Sequence, residues 1–162
     1  MKRLATIIIG VLVFLLATPN HSVAHPMGNF SINHYARIRL GAEKTAVRYI
    51  LDFAEIPTYQ LDGLHTDEWV ANLNLRIGGE NQPLSLQQVD SQKLPGAGGL
   101  RTLRVVFDLT SRGIASTEQI DFADNNFPDR LGWKEIVVES DGMVEFPDGN
   151  PFTNDISKAL TS

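Results

Sequence analysis

Two alternating stretches near the start of the chain constrain the fold more than any other feature of the sequence. Between residues 30 and 40 every second position is apolar, except for a histidine at position 34, and the intervening positions are mostly polar. The alternation resumes after residues 41–44 and brings Val47, Tyr49, Leu51 and Phe53 onto one side. A period of two is typical of a β-strand with one buried face. The two stretches therefore predict a β-hairpin whose turn is formed by residues 41–44.

The register of this hairpin follows from the position of the turn. A turn at residues 41–44 pairs Ile38 with Val47, Ala36 with Tyr49, His34 with Leu51, and Ile32 with Phe53. The apolar side of one strand then meets the apolar side of the other. Because a shift of one residue would move every side chain to the opposite face, this agreement supports the predicted register.

Shorter alternating stretches predict further strands at residues 73–77, 83–89, 103–109, 119–122, 133–139 and 143–146. Pro83 makes the second of these an edge strand, since proline cannot donate to a central ladder. Residues 65–73 predict a short helix. Thr66 can cap its amino end, and Asp67 and Glu68 lie in the first turn, where the helix dipole favours acidic side chains. Seven or eight short strands indicate an all-β fold, an antiparallel β-sandwich of immunoglobulin-like layout with one short helix.

The first 24 residues have the order of a secretory signal peptide. Lys2 and Arg3 precede an uncharged run at residues 4–17, Pro19 follows that run, and Ser22-Val23-Ala24 supplies small residues before the cleavage point. A membrane anchor is the alternative, but a bilayer span needs about 20 apolar residues. We therefore predict a signal peptide at residues 1–24, a β-sandwich domain at 25–149, and a tail or the start of a linker at 150–162. The expected location is the periplasm or the outer face of the cytoplasmic membrane.

Composition excludes several classes of function. The chain has no cysteine, which excludes disulfides, thiolate zinc sites and iron–sulfur clusters. Its formal charge is −5 and its basic residues are not clustered, so nucleic acid is not an expected partner. Residues 96–99 do not lie between a strand and a helix, as a phosphate-binding loop would. Because no serine lies in a nucleophile elbow either, we predict that the protein is not an enzyme.

Several blocks of residues resemble one family. They are His25-Pro26, Gly28-Asn29-Phe30, Asn33-His34-Tyr35, Asp52, Ala54-Glu55-Ile56-Pro57-Thr58, Arg130-Leu131-Gly132-Trp133-Lys134-Glu135-Ile136 and Asn154-Asp155. Together they resemble the extracytoplasmic N-terminal domain that precedes the membrane helices of many bacterial nickel/cobalt transporters. The resemblance covers most of residues 24–160, although residues 59–68 are shorter than the corresponding insertion and no membrane helix follows the signal peptide.

The resemblance implies an exported accessory domain of a nickel/cobalt transport system, which binds metal or contacts the membrane channel. Its expected partner is a polytopic membrane transporter segment, either in the same longer chain or separate. The alternative is a stand-alone periplasmic protein that binds metal or another protein and has no role in transport.

The residues themselves indicate a metal site at the mature amino terminus. A chain that begins at His25 offers an α-amino nitrogen and an imidazole nitrogen, both of which hold lone pairs near neutral pH. Pro26 removes the next amide proton, so further ligands must come from elsewhere. Such a site suits a divalent transition metal, nickel or cobalt as the resemblance implies, and imidazole also suits copper and zinc.

Two more residues complete the set of candidate metal ligands. Glu55 lies across from Phe30 in the predicted register, close to the end of the hairpin from which His25 emerges. A carboxylate at this position could bind metal or could cap the strand end. His34 is the other candidate, but it lies on the apolar face opposite Leu51. The alternative for His34 is a core histidine that is hydrogen-bonded to a neighbour.

Overall fold

The computed structural model describes residues 28–114, 118–147 and 149–161, within which the chain forms eight strands and two α-helices. In chain order these are β1 (Ile32–Leu40), β2 (Lys44–Phe53), α1 (Glu55–Gln60), α2 (Thr66–Ala71), β3 (Leu73–Ile77), β4 (Glu80–Gln82), β5 (Ser85–Pro95), β6 (Arg101–Arg112), β7 (Ile120–Asp124) and β8 (Lys134–Ser140). A short 3-10 turn, Ala97–Gly99, joins β5 to β6.

The described strands form two sheets that enclose one hydrophobic core. The larger sheet has the order β5-β6-β2-β1-β8 and the smaller one has the order β4-β3-β7. All neighbouring strands are antiparallel except β1 and β8, which run parallel. Alternate residues of β1, β2 and β6 pack with Leu73, Leu75 and Ile77 of the smaller sheet. The fold is therefore mostly β, as the sequence predicted, and it is consistent with a sandwich.

The hairpin of β1 and β2 has the predicted register. Ile32 pairs with Phe53, His34 with Leu51, Ala36 with Tyr49, and Ile38 with Val47. The turn is one residue shorter than predicted, because Lys44 already belongs to β2. Phe30, which the alternation places on the apolar face, precedes β1 and is 62% exposed. The alternation therefore predicts the two strands correctly but wrongly predicts that Phe30 is buried.

The second face of β1 is also buried, where the sequence predicted a half-buried strand. Tyr35 and Ile50 are fully enclosed with Val137, and Ala159 and Leu160 cover them. The Tyr35 hydroxyl donates to Asp155 Oδ2 at 3.1 Å, which fixes the segment at residues 155–161 against the sheet. Burial, the main cause, and the hydrogen bond to Asp155 together raise the pKa of Tyr35 to about 12.

The structure differs from the prediction in one additional helix and in two strands. Helix α1 was not predicted, because six residues with Pro57 in the first turn show no helical period, although proline is tolerated there. Residues 143–146 form no strand, and residues 144–146 line the open side of the core instead. The predicted strand at 83–89 is divided between the connection after β4 and a longer β5 that ends at Pro95. As predicted, β5 is an edge strand.

The predicted signal peptide at residues 1–24 and the candidate ligand His25 lie outside the described residues. Within the described residues, neither helix has the length and apolar character needed to cross a membrane.

Candidate functional site

Glu55 is the first residue of α1, at the end of the hairpin where the described chain begins. Extended backbone at Ala54 connects it directly to β2. The Ile56 amide donates to the Asn29 carbonyl oxygen at 3.0 Å, and the Ala54 amide donates to the Ser31 carbonyl oxygen at 3.0 Å. These two bonds hold the segment before β1 against the start of α1. These bonds place Glu55 across from Phe30, as the register predicted.

The Glu55 carboxylate is buried, with only 1% of the residue exposed. The Ala97 amide donates to Oε1 at 2.6 Å. The second oxygen, Oε2, is also enclosed and has no hydrogen-bond partner within the described residues. Leaving a buried polar atom unpaired costs about 1–3 kcal/mol, and more for a charged group. The β5–β6 connection therefore fixes Oε1 of Glu55. Oε2 can still accept a hydrogen bond or bind a cation.

Gly96 allows the connection to approach Glu55 this closely. A Cβ atom at this position would lie 2.6 Å from Glu55 Oε1 and 2.7 Å from its Cγ. Because both atoms are buried, the carboxylate could not simply move into solvent. The short distance explains why glycine is needed at a position whose backbone angles (φ −116°, ψ −169°) any residue could adopt.

We expect Gly96→Ala to lower the free energy of unfolding by about 1–3 kcal/mol, as overpacking of a buried site does. Chemical denaturation measures this loss. Gly63→Ala is the matched control, because a Cβ atom at Gly63 would meet nothing within 4 Å. An equal response of the two variants would show that Glu55 is free to move.

His34 belongs to a different cluster, a buried polar network between the two sheets. Its Nδ1 lies 2.5 Å from Asp124 Oδ2 on β7, and His34 itself is 2% exposed. The Tyr49 hydroxyl donates to the same carboxylate oxygen at 3.0 Å. Asn126 joins the network through two donors. Its backbone amide donates to Asp124 Oδ1 at 2.9 Å, and its side-chain Nδ2 donates to the Tyr49 hydroxyl at 3.2 Å.

The hydrogen bonds of this network determine the charge of Asp124. Burial acts to raise the pKa of Asp124, but donors from His34, the Asn126 amide and Tyr49 outweigh it and lower the pKa below the ordinary value. An ionised carboxylate can only accept, so His34 Nδ1 carries the proton between them. Burial and the negative charge of Asp124 raise the pKa of Tyr49, which keeps its hydroxyl protonated. The network joins β1 and β2 to β7.

The structure holds the candidate ligands His34 and Glu55 in separate surroundings. His34 pairs with Leu51, four residues before Glu55, which places the two backbones about 13 Å apart along the strand at ~3.3 Å per residue. No group of three or more His, Cys, Asp or Glu side chains suited to a metal occurs within residues 28–114, 118–147 and 149–161. The described residues thus bring Glu55, but not His34, to the end of the hairpin at which the described chain begins.

Asp124 and Asn126 are the members of the network that the sequence did not identify. Both lie in a stretch of acidic and amide residues that reads as a turn before Pro128. The left-handed residue of this turn is Phe127, with φ 46°, and its ring packs edge-to-face on His34. The only signal in the sequence was a histidine within an apolar face, which requires a polar partner from another element.

Comparison of the chain with protein-family models, with curated proteins and with solved structures finds no match.

Proposed function

We propose that this chain is an exported accessory domain of a nickel/cobalt transport system, a sandwich of immunoglobulin-like layout in which Glu55 and His25 bind a divalent transition metal. The motif resemblance supports the transport system and the export. The observation that carries the metal site is the buried Glu55 carboxylate, whose Oε2 has no partner within the described residues.

The amino terminus can reach this carboxylate. The three steps along the chain from His25 to Gly28 span at most about 11 Å, and Gly28 is next to Asn29, which hydrogen-bonds the backbone of Ile56. An α-amino nitrogen, an imidazole nitrogen and a carboxylate oxygen form a mixed nitrogen–oxygen set, which suits nickel, cobalt, copper or zinc. A metal held by these three ligands would give the buried Glu55 Oε2 a partner.

Metal titration of the mature protein tests this proposal. We expect Ni²⁺ and Co²⁺ to bind the chain that begins at His25 in isothermal titration calorimetry. Glu55→Gln should weaken binding by at least the roughly 10–100-fold that loss of an outer-shell partner costs. Glu43→Gln is the matched control, since it removes the same charge from the exposed turn at the opposite end of the hairpin. One extra residue before His25 should abolish binding, because it converts the amine to an amide.

Equal affinity of the extended and native forms would contradict the role of the terminal amine. His34→Gln should lose stability and keep metal binding, since His34 belongs to the network between the sheets. Loss of binding in His34→Gln without loss of stability would instead make His34 a ligand.

A stand-alone periplasmic protein with no role in transport is the second candidate. Exposed apolar side chains favour a protein-binding role of this kind: Tyr59 is 82% exposed and Leu131 is 72% exposed. Co-purification of the exported protein from detergent-solubilised membranes discriminates between the two. A polytopic membrane protein that contains intramembrane histidine and aspartate would support the transport role.

A further inference from the structure

A cavity of about 490 Å³ lies between the sheets, on the side where β7 and β8 are the outer strands. Its walls are mainly apolar and come from β1, β8, β7 and the segment after β8, with Ile38, Val138, Ile120, Phe122 and Phe146 among them. The volume falls within the range of about 300–1,000 Å³ that is usual for binding pockets. The core is therefore incompletely filled at this side.

The strand β7 has a free edge beside the cavity. Within the described residues β7 pairs only with β3, so alternate amide and carbonyl groups point away from the sheet. The outer edge of β8 is partly occupied, since the Val138 amide donates to the Phe152 carbonyl oxygen at 2.9 Å and Asn150 Nδ2 donates to the Val138 carbonyl oxygen at 2.7 Å. A chain added beside β7 could direct every second side chain into the cavity.

The charged side chains that line the cavity are acidic within the described residues, although Arg112 pairs with Glu118 and Arg76 lies across from Asp121. Among residues 28–114, 118–147 and 149–161, the lining includes Glu118, Asp121 and Glu145 but no lysine or arginine. Glu118 pairs with Arg112 at 3.0 Å, but Asp121 and Glu145 form no ion pair with any described residue. An occupant with basic residues would complement these two carboxylates. A second copy of the chain would not, because it would bring the same acidic side chains to this edge and the formal charge of each copy is −5.

We propose that the edge of β7 and the adjacent cavity bind an extended peptide segment in which apolar residues alternate with basic ones. The apolar side chains enter the cavity, the backbone continues the β4-β3-β7 sheet, and the basic side chains face Asp121 and Glu145. This surface does not involve Glu55, so it stands independently of the proposed metal site.

Nuclear magnetic resonance with an acetylated and amidated Lys-Val-Lys-Val-Lys-Val peptide tests the proposal. In ¹⁵N-labelled protein we expect the amide signals of β7 to shift and their hydrogen exchange to slow. The same titration with Glu-Val-Glu-Val-Glu-Val should leave the spectrum unchanged. Shifts confined to β5, which is also an edge strand, or equal binding of the acidic peptide would overturn the proposal.

Charge reversal provides the second arm of the test. Asp121→Lys should weaken binding of the basic peptide about tenfold, as removal of a complementary charge and introduction of a like charge do. Asp90→Lys makes the same change of net charge on the exposed strand β5 and should have no effect. If Asp121→Lys does not fold, Glu145→Lys replaces it, because Glu145 lies outside the strands. Binding that responds equally to the Asp90 and cavity variants would reflect net charge alone and reject the site.

Discussion

Asp124→Ala should lower the free energy of unfolding by at least about 1–3 kcal/mol, the cost of leaving a buried hydrogen-bond donor without its acceptor. Three donors converge on the Asp124 carboxylate: His34 Nδ1, the Tyr49 hydroxyl and the Asn126 amide. Alanine removes this shared acceptor from a site where the Asp124 side chain is only 9% exposed. Urea denaturation at neutral pH measures the loss, and a change under about 1 kcal/mol would show that water can replace the carboxylate.

The pH dependence of stability provides a control. Because the pKa of Asp124 is lower in the folded protein than its ordinary value of 3.8, the unfolded chain binds the proton more readily. The stabilisation is therefore complete above pH 3.8 and is lost as the pH falls through the lowered folded pKa. Asp124→Asn keeps the shape of the side chain but has no ionisable carboxyl group. The free energy of unfolding of this variant should therefore depend less on pH in this range.

Local pattern was sufficient to predict the central hairpin. Alternation and the position of the turn determined which residues of β1 and β2 face each other, and the pairs of Ile32 with Phe53 and Ile38 with Val47 were correct. These contacts join residues that are close in sequence, and a slip would expose every apolar side chain. The same information did not predict the parallel pairing of β1 with β8, because nothing local to either strand specifies a partner about a hundred residues away.

Burial on the second face of β1 could not be predicted from alternation either. Tyr35 is polar at its hydroxyl and was placed on the solvent side, yet it is completely buried. Its enclosure depends on Val137, Ala159 and Leu160, which come from the far end of the chain. A period of two specifies which side chains share a face, but a strand covered on both faces needs tertiary contacts to be recognised.

The candidate site shows the same division between local and distant information. The register correctly placed Glu55 at the end of the hairpin, whereas its burial arises from the β5–β6 connection, where Ala97 and Gly96 meet the carboxylate. For His34, the sequence posed two alternatives, a ligand or a hydrogen-bonded core residue. The hydrogen bond to Asp124 supports the second, and that partner lies 90 positions away.

Phe53→Ala should also lower the free energy of unfolding by about 3–5 kcal/mol, as expected for a fully buried aromatic residue. The Phe53 ring lies 5.5 Å from the Trp69 ring of α2 and 5.4 Å from the Phe127 ring, the latter edge-to-face. Each such pair contributes about 0.5–1.5 kcal/mol beyond the buried area. The loss would be measured by urea denaturation, with Phe53→Leu expected to recover part of it.

Phe30→Ala is the control that separates tertiary packing from sequence pattern. Alternation ranks Phe30 and Phe53 alike, since both fall on the apolar face of the hairpin, but Phe30 is 62% exposed and Phe53 is fully buried. Phe30→Ala should therefore change stability by no more than about 0.5 kcal/mol, as surface substitutions do. A large loss at Phe30 would contradict its exposed position and show that the segment before β1 is buried.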